Sequence, residues 1–165
     1  MNPPAPIDLS SGRFRPASIP ARLLARTIDA VIVAIPVGAL TTLIISESAT
    51  DSAYSTPDSA TGISSALLIA ALAVAVSGPY EISCIAASGT TLGKRALGLR
   101  VVNAHTSSPP RDGTGTGTAF TRWANLTIPG LLTGGAWTLL CAASCTPGHR
   151  GWHDRAALTY VIADR

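Results

Sequence analysis

Three apolar stretches set the pattern of this chain. Ile28 to Ile45, IDAVIVAIPVGALTTLII, holds 18 residues with one charge. At about 1.5 Å of rise per residue it is just long enough for a hydrocarbon core of about 30 Å. Pro36 would break a solvated helix, but in lipid the neighbouring helices can satisfy the carbonyl it frees. Ser65 to Ala87, SALLIAALAVAVSGPYEISCIAA, is a second run, rich in small residues that favour close helix contact and interrupted near its end by Gly78, Pro79, Tyr80 and Glu81. Trp123 to Cys145 is the third, uncharged but broken by Pro129-Gly130 and Gly134-Gly135, so that it is either one kinked helix or two short halves. The pattern predicts an all-α integral membrane protein with about three transmembrane helices.

The period changes after the second run. Thr90 to Val102, TTLGKRALGLRVV, packs three cations among glycines and leucines and ends on β-branched residues, as a short strand begins. Arg95 to Val102, RALGLRVV, is echoed by Arg155 to Ile162, RAALTYVI. If the two segments pair, they lie on one side of the membrane; chance similarity over eight residues is the alternative. A small β element beside the helices is therefore expected.

The cations decide orientation. Arg13, Arg15, Arg22 and Arg26 precede the first run, and Lys94, Arg95, Arg100, Arg111 and Arg122 lie between the second and third. No Lys or Arg occurs from Thr27 to Gly93, and the Ser/Thr-rich loop Ser46 to Ser64 carries Glu47, Asp51 and Asp58 instead. Since positive loops stay inside, the N-terminus and the basic loop over 89–122 are expected to be cytoplasmic. The basic C-terminus, with His149, Arg150, Arg155 and Arg165, conflicts with three full crossings, which would leave it outside. Either the third run crosses and the tail is external, or the run bends back and the tail stays inside.

Composition agrees with a lipid solvent: 47% of the residues are hydrophobic and only 13% charged. The net charge of +3 has no basic run interleaved with aromatics to accompany it, so nucleic acid is not an expected partner. Three cysteines without close pairing make neither a disulfide framework nor a zinc site. Residues 1–20, rich in Pro and Ser, read as a disordered tail, with 21–165 as the membrane domain. A cleaved signal peptide fits poorly, because the apolar run starts late and contains Asp29 and Pro36.

Arg22, Arg26 and Asp29 stand at i, i+4 and i+7 and share one helical face. A carboxylate in hydrocarbon costs roughly 2.5–3.5 kcal/mol near a helix centre, and an adjacent guanidinium is the expected compensation. Glu81 lies near the same end of its own run, so the charges gather at one membrane face. Two readings follow: an ion or proton site, or ion pairs that tie helices together. Lys94 and Arg95 are expected to hold the second helix at anionic headgroups, at about 1 kcal/mol each. GTGTGT, Gly113 to Thr118, lacks a preceding strand and reads as a flexible linker. Cys141, Cys145, His149 and His153 recur every fourth residue, but Thr146-Pro147-Gly148 breaks any helix that would make them a metal site. His153-Asp154 has no partner nucleophile, so neither catalysis nor a cofactor is expected.

Taken together, three segments resemble the RDD family of small bacterial membrane proteins. RLLARTID places Arg22 and Asp29 at the family's arginine and first aspartate. TLGKRALGLRVV carries its cytoplasmic signature at Thr91, Gly93, Lys94, Arg95, Gly98 and Arg100. GWHDRAALTYVI places Asp154 at the second aspartate, with Ala157-Leu158-Thr159 where the family's usual glycine and threonine follow the arginine. Arg122 at the start of the third run also fits. The resemblance, over Arg22 to Ile162, implies a multi-pass protein of the bacterial plasma membrane. It implies either a component of cation/proton or small-solute transport or a non-catalytic scaffold. The charge cluster is then Arg22, Arg26, Asp29, Glu81 and Asp154. Three spans enclose little beyond a groove, so passage of a solute implies a homo-oligomer or a membrane-complex partner.

Overall fold

A computed structural model describes residues 6–9, 12–51, 59–105, 112–133, 136–143 and 150–163. Two long helices carry the first two apolar runs. Helix α1, Ile19–Asp51, and α2, Ser59–Ser88, both continue through an internal proline, Pro36 and Pro79. Within them Ile19–Ser46 and Ser64–Ser88 are long and apolar enough to cross a membrane. The first, with 28 residues, extends about 42 Å at the usual helical rise. Only 11% and 17% of their spanning windows are buried, which a soluble core helix would not tolerate. Leu23, Val31, Ile35, Leu43, Leu67 and Ile69 instead present their side chains outward.

The third apolar run is not one helix. Helix α4, Thr116–Leu132, starts inside the GTGTGT segment and stops at Thr133, and α5, Ala136–Ala143, is a separate piece packed back on it. At eight residues α5 covers about 12 Å, far less than a hydrocarbon core. GTGTGT is correspondingly not a free linker. Thr114 is buried, and the amides of Thr114 and Gly115 donate to the carbonyls of Ile85 and Ala86 in the last turn of α2, the first of which also accepts the Gly89 amide.

The two echoed segments fold alike. Helix α3, Leu92–Ala96, leads into β3, Leu99–Asn103, and α6, Trp152–Ala156, leads into β4, Thr159–Ala163. The strands pair antiparallel with Val101 opposite Val161, and both show the same alternation of buried and half-buried positions. The echo is thus a repeat of structure, and the pairing puts both segments at the same end of α1 and α2. Of the two fates considered for the C-terminal segment, the pairing gives the one in which the third run turns back.

Within 1–20, read above as a disordered tail, the described residues include β1 (Ile7–Leu9) paired antiparallel with β2 (Gly12–Phe14). The chain then runs along the edge of β4, where the Ala17 amide donates to Val161 O and the Ala163 amide to Arg15 O. Backbone pairing, together with the burial of Pro16 and Ala17, does here what large side chains do elsewhere. The core lies where sheet and helix ends meet: Ala17, Ala25, Ile85, Leu99, Val101, Ala119 and Val161.

Each helix-to-strand turn needs a left-handed residue. Gly98 takes it at φ 64, and at the equivalent place Leu158 takes it at φ 51. A side chain there costs roughly 1–2 kcal/mol that glycine avoids. Leu158→Gly should therefore raise the stability of the detergent-solubilised chain by about 1 kcal/mol, read as an increase in Tm, whereas Gly98→Ala should lower it.

Candidate functional site

Because α1 and α2 run antiparallel, the start of α1 meets the end of α2, and the ends of α3, α4 and α6 close over them. The result is a buried network of charge at one end of the long helices.

Asp154 is its most enclosed member, at 0% exposure. Arg22 of α1 donates from Nη1 to Asp154 Oδ2 at 3.1 Å, and Arg122 of α4 donates from Nη1 to Oδ1. The Gly151 amide adds a third bond at 3.3 Å. Arg22 also bonds the carbonyls of Ala17 and Val161, so one guanidinium ties α1, β4 and α6 together. Arg122 reaches Thr159 Oγ1 at 3.2 Å.

Glu81 of α2 forms the second knot. Arg26 donates to its Oε1 at 2.7 Å, and the Lys94 ammonium stands 3.9 Å from the same oxygen. Lys94 is buried, at 6% exposure, and its amine also reaches Thr91 Oγ1 at 3.4 Å. It therefore does not lie at headgroups as expected; the exposed Arg95 is the cation of that pair left on the surface. Burial of four methylenes against the helices, offset by Glu81, places the ammonium inside.

Asp29 is handled differently. Its described partners are the hydroxyls of Tyr80 at 2.8 Å and Thr91 at 2.5 Å, and the Gly93 amide at 2.8 Å. The expected guanidinium partner is absent from this set: Arg22 is spent on Asp154 and Arg26 on Glu81. Sharing a helical face brings three side chains to one region, but it does not decide which of them meet. Gly93 is required for the contact, since a side chain there would run into the Ala25 carbonyl and the Asp29 carboxylate. Tyr80 is in turn fixed by the Leu92 amide at 3.1 Å.

The signature residues thus divide their work. Thr91 and Gly93 hold Asp29, Lys94 faces Glu81, Gly98 makes the turn, and Arg100 closes the end of α2 by donating to Ser88 O at 2.7 Å. Sequence reasoning left Tyr80 and His153 out of the cluster and gave Arg122 no partner. Arg122 was the most findable, being the one cation at the head of an uncharged run. Cys145 and His149 of the weighed metal pattern lie outside the described residues, and among the described residues no group of three His, Cys, Asp or Glu could hold a metal ion.

Burial carries the electrostatics. It pushes the His153 imidazole down to about 3 against the pull of Asp154, so the ring is neutral at neutral pH. Burial alone would raise Asp154, but Arg122, with Arg22 behind it, holds that carboxyl below the usual carboxylate range. Burial lowers Lys94 to about 8, with Glu81 opposing.

Residues 16–158 match the RDD family. No curated protein and no solved structure matches the chain.

Two outcomes follow from these charges. Asp154→Asn should cost about 3–5 kcal/mol, because it leaves Arg22 and Arg122 buried without a counter-charge; Tm in detergent reads the loss. Acid should act through His153 first. The unfolded ring accepts a proton near pH 6.5 that the folded ring refuses until about 3, so Tm falls as pH drops through that interval. Below the ordinary carboxylate range the protonation of Asp154 adds to the fall. His153→Gln should flatten the upper part of that slope.

Proposed function

The chain belongs to the RDD family, and from that premise we propose that it is a multi-pass protein of the bacterial plasma membrane in which Asp29 serves as a cation or proton site within a transport component. The observation that carries the reading is the environment of Asp29. Unlike Asp154 and Glu81, it is held by neutral donors, and it lines a cavity of about 360 Å³ between α1, α2 and α4. That cavity extends along Val33, Val37 and Ala73, away from the charged end and into the apolar length of the helices. A carboxylate with neutral hydroxyl and amide donors beside a cavity can exchange a proton or accept a small cation without first breaking an ion pair. Glu81 borders the same space but is held by Arg26 and Lys94, which leaves Asp29 as the exchanging group. The reaction is one of transfer, with no covalent chemistry and no cofactor. Two spanning helices and a short hairpin enclose too little for a full path, so a second copy or a membrane-complex partner completes it.

A scaffold role is the second reading, and Asp154 favours it: a carboxylate saturated by two guanidiniums from different helices is an anchor. Asp29→Asn separates the two. In proteoliposomes loaded with a pH-sensitive dye, the transport reading expects sodium- or proton-driven signals to vanish while the amount of inserted protein stays normal. The scaffold reading expects unchanged signals and a lower steady-state amount of protein in cells.

Orientation has its own test. With Cys84, Cys141 and Cys145 replaced, single cysteines at the exposed Ala96 and Ala156 should both escape an impermeant maleimide in intact cells and react after permeabilisation. Reaction of either one in intact cells would reverse the proposed cytoplasmic placement.

A further inference from the structure

Two cavities adjoin the first turns of α1, and a pair of hydrogen bonds runs from the wall of one to the wall of the other. The first is the space that Asp29 and Thr91 line. The second measures about 260 Å³, lies between α1, α4 and α6, and has Lys94 in its wall. Arg26 and Ala30 stand in both walls. What the walls share is therefore a guanidinium and a methyl group, neither of which ligates a metal cation or gives up a proton.

The hydrogen bonds offer a proton another way. The Lys94 ammonium donates from Nζ to Thr91 Oγ1 at 3.4 Å, and the same hydroxyl donates to Asp29 Oδ2 at 2.5 Å. A hydroxyl has one proton to give and lone pairs with which to receive, so the two bonds make a directed chain with Thr91 as its single link. Thr91 is 1% exposed, which keeps bulk solvent off that link. Its hydroxyl is also diverted from the usual task of its position. Thr91 is the N-cap of α3, where a threonine ordinarily bonds an amide of the first turn, yet its side chain makes no capping bond. The Leu92 and Gly93 amides go to Tyr80 Oη and Asp29 Oδ1 instead.

Lys94 can lose its charge without leaving an acid unpaired. Arg26 holds Glu81 at 2.7 Å, whereas the ammonium stands 3.9 Å away, too far for a hydrogen bond. Arg26 and Asp29 of α1, Glu81 of α2 and Arg122 of α4 act on the amine, and Arg22, His153 and Asp154 share its cavity. Burial, with Glu81 opposing, brings Lys94 to about 8, where both of its protonation states are populated near neutral pH.

Resting on the reading of Asp29 as the exchanging group, we propose that Lys94 and Thr91 form a proton relay joining the two cavities at Asp29, and that the ion exchanged there is the proton. In one passage an N–H bond of the ammonium breaks as an O–H bond forms at Thr91. The original O–H bond of that hydroxyl breaks as another forms at Asp29 Oδ2. The ammonium becomes an amine and the carboxylate a carboxylic acid, so the total charge is unchanged. The Lys94 cavity is roomy and polar enough to hold water, which returns a proton to the amine. Asp29 releases its own into the other cavity, and the Thr91 hydroxyl turns back.

The test is proton flux through proteoliposomes of the full chain after a pH jump, read with an enclosed pH-sensitive dye and normalised to inserted protein, with Asp29→Asn as the baseline. Lys94→Gln leaves the Thr91 bond to Asp29 in place, and Thr91→Val keeps the shape of the side chain without its hydroxyl. Each should lower the Asp29-dependent flux at least about tenfold, and Thr91→Ser should restore it to within about threefold of the unaltered chain. The flux of the unaltered chain should fall as pH rises through about 8, where the amine no longer holds the proton it hands on, and the residual flux of Lys94→Gln should lack that fall. Full flux in either Lys94→Gln or Thr91→Val overturns the relay while leaving the Asp29 site standing, and so does a Thr91→Ser chain as slow as Thr91→Val. An unaltered chain whose flux is not reduced by Asp29→Asn overturns the relay and the transport reading together.

Discussion

Everything at the charged end of this protein is arranged around one carboxylate that cannot reach solvent. Asp154 sits on the short helix α6 and is gripped by guanidiniums from α1 and α4. Neither arginine could be buried there alone, since an unpaired charge taken from water costs several kcal/mol even after relaxation. The aspartate therefore fixes the distance between two helices that have little else to hold them at this depth. Once α1 and α4 are set, the sheet follows, because the guanidinium that reaches Asp154 also accepts the job of satisfying Val161 O at the edge of β4. Paired charges buried together favour the arrangement in which they meet, since any other leaves a charge buried alone.

The same economy explains why the two other acids are treated differently. Glu81 is paired with Arg26 and approached by Lys94, so its charge is neutralised within the network. Asp29 is surrounded by hydroxyls and an amide, which stabilise a negative charge without cancelling it. The cavity that extends toward Val37 and Ala73 is thus lined both by a locked pair, Arg26 with Glu81, and by a carboxylate, Asp29, that the protein only solvates.

Much of this was legible in the sequence, and what escaped did so for physical reasons. Lipid-length runs, the sorting of cations and the i, i+4, i+7 spacing depend on local order along the chain, so Arg22, Arg26, Asp29 and Glu81 could be gathered at one end, while Asp154 joined them only through the family resemblance. Partner choice depends on the angle at which helices meet. Asp29 and Arg26 share a face, yet the contact between α1 and α3 turns Asp29 toward Thr91 and Gly93 instead. Lys94 looked like a surface cation because nothing in its neighbourhood shows that Glu81, thirteen positions earlier, folds back beside it. The edge pairing of Arg15 and Ala17 is invisible to any hydrophobic pattern, since it is carried by the backbone.

The repeat of helix, turn and strand adds a last constraint. Aligning α3–β3 with α6–β4 sets Gly98 against Leu158 and Val101 against Val161, and it also sets Lys94 against Asp154. The two halves thus bring opposite charges to equivalent positions, and both positions border one cavity. Two like charges brought together there would repel in a region with little solvent to screen them. With a lysine in one half and an aspartate in the other, both short helices can close over the same helix ends. Each then recruits its own partners, Glu81 for Lys94 and the arginine pair for Asp154. Symmetry of backbone with asymmetry of charge is what lets one small sheet serve as the common floor of two unlike halves.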